Sequence, residues 1–239
     1  AVYLKEEDVI KQDTFQLKTT PNNRISQKLS ILDSFRKILL NKFFVAFMIA
    51  TLLFSLATTM TYQTQGIFYG LFAPNDYFIV ALTFSLAAFI EWPLMTMVAK
   101  RVKKIGWERV VILAYLLSAI RLGLSPLLIL FNGNIWGAFL LQILAGIIFG
   151  IRLPAATFGV YVILEKEQRT FGQSLNVSMQ HVGSFLGSLI GAIVAFIIQD
   201  NVSNTFLVIY WIAAIFALIS SIWFYLQITR KFRNAGVSS

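Results

Sequence analysis

FSLAAFIEWPLMTMVAKRVKKIGWERVVILAYLLSAIRLGLSP, Phe84 to Pro126, holds two apolar runs joined by a short and strongly basic turn. Five basic residues, Lys100, Arg101, Lys103, Lys104 and Arg109, fall within ten positions of that turn. Each flanking run carries one ionisable group inside it, Glu91 before the turn and Arg121 after it. A soluble protein gains little from this arrangement. In a membrane protein the basic turn fixes the cytoplasmic side, and charges within the spans mark where solutes or ions pass.

The composition agrees. Of 239 residues, 57% are hydrophobic and only 13% charged, against about 25% charged in ordinary soluble domains. The apolar residues gather in six long runs, which predicts an all-α transmembrane protein. The formal net charge of +9 comes from Lys and Arg flanking apolar runs, with no zinc-ligand or interleaved aromatic pattern. Orientation in a bilayer explains it, and nucleic acid is not an expected partner. With no Cys, disulfides and thiolate metal sites are excluded. No signal-like run precedes Phe43, and the start at Ala-Val reads as that of a processed or cut chain, one half of something larger.

Outward from the organising stretch, residues 1–42 read as a polar cytoplasmic arm or central linker, with a loop signal at Pro21-Asn22-Asn23. Its second part repeats Leu29, Leu32, Phe35 and Leu39 among charged residues. That pattern fits a helix lying on the inner membrane surface or the first turns of the next span. The spans are expected at about 43–65, 77–99, 110–131, 135–164, 171–198 and 204–228, with a cytoplasmic tail over 229–239. The loops on the far side hold only the acids Asp76 and Asp200, and Asn132-Gly133-Asn134 reads as a tight turn. Both termini are therefore expected in the cytoplasm, in a bacterial cytoplasmic membrane.

Within the spans, polar residues are few and patterned. Thr51, Ser55, Thr58, Tyr62 and Gln65 fall at intervals of four, three, four and three, one face of the first span. This stripe either faces water or packs against a neighbouring helix. Pro93 follows Glu91 by two places and disturbs the hydrogen-bond ladder there. The fourth span carries Gln142 and then Arg152-Leu-Pro154; the fifth carries Gln173, Asn176, Gln180 and His181 in its inner half. Gly183, Gly187 and Gly191 recur every four residues, a spacing that predicts close helix contact. The sixth span reads as a lipid-facing support.

Counted from the basic ends at 1.5 Å per residue, Glu91, Arg121 and Arg152 share a depth of roughly 13–18 Å. A lone Arg there costs at least about 2.5 kcal/mol. One carboxylate neutralises one guanidinium; the other needs a solute carboxylate, backbone carbonyls or water. Glu91, Arg121 and Arg152 are the candidate charge- and proton-coupling residues, although Glu91 with either Arg would also serve as a bracing pair. Thr51, Ser55, Thr58, Tyr62, Gln65, Gln142, Asn176, Gln180 and His181 are the candidate cavity residues. His181 is a proton carrier or a hydrogen-bonding member of a polar face. One His without Cys makes no metal site, no catalytic or phosphate-binding motif is present, and neither enzyme activity nor a cofactor is expected.

AKRVKKIGWERV between two spans resembles the basic turn after the second helix in each half of the major facilitator superfamily, Gly-x-x-x-Asp-Arg-x-Gly-Arg-Arg. Arg101 and Gly106 keep its sense; its first Gly and its Asp are absent. SAIRLGLSP, with Arg121, is similar to the ninth helix of the lactose, phenylpropionate and nucleoside permease branch. The likeness continues through LLQILAGIIFGIRLPAATFGVYV, EKEQRTFGQSLN and HVGSFLGSLIGAIV. It spans about residues 43–228 and implies the C-terminal six helices of a twelve-helix transporter, built as two inverted three-helix repeats. The resemblance implies that spans one and four face a central cavity, two and five flank it, and three and six support them. It also implies a coupling role for Arg121. Tyr62-Gln63-Thr64-Gln65 resembles the polar segment of the seventh helix without its Asp. Where that branch carries a coupling His and Glu in the tenth helix, Gly146 and Phe149-Gly150 stand here, which leaves Glu91 as the proton site.

The expected function is half of a proton-coupled transporter of a small polar solute, sugar- or nucleoside-like. The partners are then protons, lipid, and an N-terminal six-helix half or a second copy. Multidrug or metabolite efflux, and a non-transporting half that assembles with or regulates a partner, are the alternatives.

Overall fold

The computed structural model describes residues 33, 35–73, 76–131, 134–198 and 201–234, with side chains through Ile228. Leu29, Leu32 and most of the polar arm, together with Asn132, Gly133, Asp200 and the end of the tail, lie outside the described residues. Helices α1 (Lys42–Tyr62), α2 (Gln65–Gly70), α3 (Tyr77–Ile105), α4 (Trp107–Leu130), α5 (Ile135–Ile163), α6 (Arg169–Ile197) and α7 (Val202–Asn234) follow in chain order. Among the described residues six of these, all but the short α2, are long and apolar enough to cross a membrane. The protein is an all-α bundle of membrane-spanning helices. Residues 35–40 are helical, and non-helical Asn41 separates them from α1.

Side chains that outcompete the local backbone set the helix starts. The Asn41, Asp76 and Asn134 carboxamide or carboxylate oxygens accept from the Phe44, Ile79 and Trp136 amides at 3.1, 3.0 and 3.1 Å, which satisfies donors that an N-terminal turn leaves open. The basic turn expected over residues 100–109 is shorter than its composition suggested. Helix α3 runs on through Lys100, Arg101, Lys103 and Lys104 to Ile105, because cations are favourable at the negative end of a helix dipole. Gly106 alone turns the chain, at φ 91°. An alanine there is expected to cost about 1–3 kcal/mol, read as a lower melting temperature in detergent; an unchanged melt would show that the turn does not need glycine.

The packing order is symmetric. Helix α3 packs on α5, α5 on α4, α4 on α7, α7 on α1, and α1 on α6. Numbered as spans, the row reads 2-4-3-6-1-5. Exchanging spans 1, 2, 3 for 4, 5, 6 returns the same row reversed, as two inverted three-helix repeats require. Spans 3 and 6 meet in the middle of the row, and spans 2 and 5 lie at its two ends.

Glycine sets both of the outer contacts. A Cβ on Gly146 would stand 2.5 Å from the Ala87 carbonyl oxygen, and one on Gly150 would stand 3.0 Å from that of Glu91. At the other end of the row, a Cβ on Gly183 or Gly187 would stand 2.4 or 2.3 Å from the Leu52 or Leu56 carbonyl oxygen. Backbones that approach this closely associate through dispersion, the dominant attraction between helices in lipid. The Gly183-Gly187-Gly191 series is therefore a helix contact, as its spacing predicts.

Two aromatic clusters close the ends of the bundle. At the basic end Phe43, Phe47, Trp107 and Phe224 lie with ring centroids 5.6–6.2 Å apart. At the opposite end Phe68 of α2 packs on Phe206 and Tyr210 at 5.6 and 4.7 Å. Between them Ser220 and Trp223 of α7 donate to the Ala50 and Ala46 carbonyls of α1, at 2.7 and 3.1 Å. The sixth span is thus lipid-facing on one side only; Tyr210, Ala213, Ala217 and Phe224 are buried on the other.

Candidate functional site

Between α1, α3, α4 and α5 lies a cavity of about 140 Å³. It runs from Tyr62 and Gln65, at the end away from the basic residues, to Glu91 and Phe149 near mid-span. Helix α3 contributes Phe84, Ala87, Ala88 and Glu91, and α5 contributes Gln142, Ala145 and Phe149. Both sets recur at three- to four-residue spacing, one face of a helix each. The small residues on α3 and α5 leave room for the polar groups between them. Thr58 and Arg121 complete the wall.

Each polar group is held in place by the fold. Arg121 is 5% exposed, and its Nε donates to the Leu141 carbonyl at 3.1 Å, which ties α4 to α5 and leaves the guanidinium at the cavity wall. Gln65 is buried, and its Nε2 donates to the Tyr69 hydroxyl at 2.8 Å. Thr58 gives its hydroxyl hydrogen to its own helix, at the Phe54 or Ser55 carbonyl, and so presents an acceptor to the cavity. Glu91 is half-buried two residues before Pro93, which has no N–H for the Phe89 carbonyl. Its backbone is pressed against Gly150. Glu91 and Arg121 share the cavity, yet among the described residues no carboxylate lies within ion-pair distance of either buried arginine.

The remaining candidates lie elsewhere. The Thr51 hydroxyl meets the Tyr115 hydroxyl at 3.4 Å, and Ser55 lies in the α1–α6 contact, beside Gly183. Arg152, 5% exposed, lies under the Phe54 ring, with Cζ 4.2 Å from its centroid. Asn176 is buried, and its Oδ1 has no partner among the described residues. On α6, Gln180 is half-buried and His181 exposed. Ser174, Ser178 and His181 follow at intervals of four and three on the open face of α6. Sequence reasoning missed Tyr69, Tyr115 and the aromatic floor. Phe149 was within reach, seven residues from Gln142 on the same face; Tyr115 gave no signal among apolar neighbours.

Six spans in inverted repeats, with an acid, a base and amides around a mid-span cavity, define a membrane transport protein. The chain matches the MFS_1 like family over residues 2–210 and belongs to that family, within the major facilitator superfamily. No curated protein matches it.

Proposed function

We propose that this chain is one six-helix half of a secondary active transporter that moves a small polar solute by alternating access, driven by protons. The observation that carries the reading is the convergence of Glu91, Arg121, Gln142, Gln65 and Tyr62 on one cavity. Ionisable groups at this depth are costly and persist where they bind solutes or relay protons. Amides and hydroxyls around them suit a sugar- or nucleoside-like solute, since buried polar groups reject a ligand that leaves them unpaired. Glu91 carries the proton, and Arg121 answers its charge.

The half is completed by an N-terminal six-helix half or a second copy. The open face of α6 supports this: Ser174, Ser178 and His181 are exposed in this chain, and polar groups at such positions face a partner or water rather than lipid. Lys42, Lys100, Lys103, Lys104, Arg109, Lys166 and Arg169 gather at one end of the spans, which we assign to the cytoplasmic side of a bacterial membrane.

The test is uptake of a sugar and nucleoside panel into proteoliposomes under an imposed proton gradient, by the protein with its natural partner half. Accumulation that a protonophore abolishes is expected. Accumulation indifferent to the gradient would rule out proton coupling, and facilitated exchange alone would rule out active transport.

A further inference from the structure

One buried charge is left over by this cavity. Phe149, on its floor, meets Phe54 edge-on at 6.3 Å and 77°, and Phe54 packs on Tyr115 at 4.8 Å. Arg152 follows Phe149 by three residues along α5, toward the basic end, and lies against the same rings without lining the cavity. Its Cζ is 4.2 Å from the Phe54 centroid and 5.9 Å from that of Tyr115. The ring faces attract the cation but offer no acceptor in the guanidinium plane, and among the described residues the Arg152 Nε and Nη2 have no hydrogen-bond partner. A buried donor without an acceptor calls for an explanation, and a charged one more so. Arg121, at the cavity wall, likewise has no carboxylate within ion-pair distance among the described residues. At mid-span the described residues hold two guanidiniums against the single carboxylate of Glu91, an excess of one positive charge.

We infer that the solute is a small organic anion whose carboxylate is held by Arg121 while the cavity is open and by Arg152 once the Phe54–Phe149 layer parts. This rests on the transporter reading above and names its substrate class. The planar fork of an arginine matches a carboxylate with two parallel hydrogen bonds, and a monoanion cancels the excess charge. Protonation of Glu91 adds one positive charge to the cavity and favours entry of the anion, so proton and anion travel together. The aromatic layer keeps the two arginines from binding the carboxylate at once, and the unpaired Arg152 favours the rearrangement that delivers it.

The test uses the complete transporter and two matched pairs of probes, galactose with galacturonate and uracil with orotate, in binding assays and in gradient-driven uptake. At least one acid is expected to bind tenfold or more tighter than its neutral counterpart. Arg152→Gln is expected to keep that binding within about twofold, which also certifies its fold, and to lose accumulation by tenfold or more. If R152Q does not fold, R152K carries the test, with tenfold slower accumulation at unchanged binding expected. Wild-type accumulation by the variant used would overturn the inference. So would preferred accumulation of galactose or uracil, which would leave the transport reading standing. Acid binding that depends on Arg121, without gradient-driven accumulation, would instead sink the transport reading and uphold an anion site.

Discussion

Gly187→Ala is expected to destabilise the bundle by roughly 1–3 kcal/mol, a fall of about 2–12 °C in melting temperature. The added Cβ would stand 2.3 Å from the Leu56 carbonyl oxygen and 3.1 Å from the Leu56 Cα. Both are main-chain atoms of α1, so no side-chain rotation relieves the clash. The two helices must separate, and the dispersion contact along Gly183, Gly187 and Gly191 weakens over its whole length. Gly66→Ala provides the control. It sits in α2 with none of the described residues within 4 Å of its added Cβ, so only the gain in helix propensity applies, roughly 0.5–1 kcal/mol of stabilisation. The two alanines should move the melt in opposite directions in the same detergent. A Gly187→Ala protein that melts with wild type would mean that α1 and α6 are not held at this spacing.

Glu91→Gln should uncouple solute movement from the proton gradient, with a loss of tenfold or more in accumulation at preserved exchange. The amide keeps the size and much of the hydrogen-bonding capacity of the carboxylate but takes up no proton. Among the described residues Glu91 is the single ionisable acid on the cavity wall, where Arg121 is the base. In the alternative reading, a bracing pair of Glu91 and an arginine, the same substitution leaves a buried cation unanswered and is strongly destabilising. The described residues hold no such ion pair, so E91Q should fold and melt close to wild type. Accumulation and exchange measured on the same preparation separate the cases. Full accumulation by E91Q would remove Glu91 from coupling; loss of exchange together with loss of the fold would make it a structural brace.

The spans and their number were legible because membrane insertion is a nearly local property of the sequence. About twenty apolar residues cross the bilayer whatever their neighbours do, and Asn41, Asp76 and Asn134 cap the helices that follow through side-chain oxygens that reach amides two or three residues on. The glycine series announced a contact, because only small residues at four-residue spacing let two backbones approach. Glu91 and Arg121 stood out because ionisable groups in apolar runs are rare. The basic turn was misjudged in length for a local reason too: a Lys-rich segment reads as a loop, while a helix C-terminus welcomes it.

Which polar residues meet was not legible, because that depends on packing between helices distant in sequence. Thr51 and Thr58 belong to one sequence stripe, yet Thr58 lines the cavity while Thr51 turns to Tyr115. Equal depth could not tell Arg121 from Arg152; helix packing placed one at the cavity wall and the other against the Phe54 ring. The sequence by itself determined a six-span membrane bundle with charges at mid-depth, because transfer into lipid acts on each helix separately. Only the tertiary structure decided which charge faces the cavity, because the side a helix presents is fixed by its neighbours, and here by the glycines that let them touch.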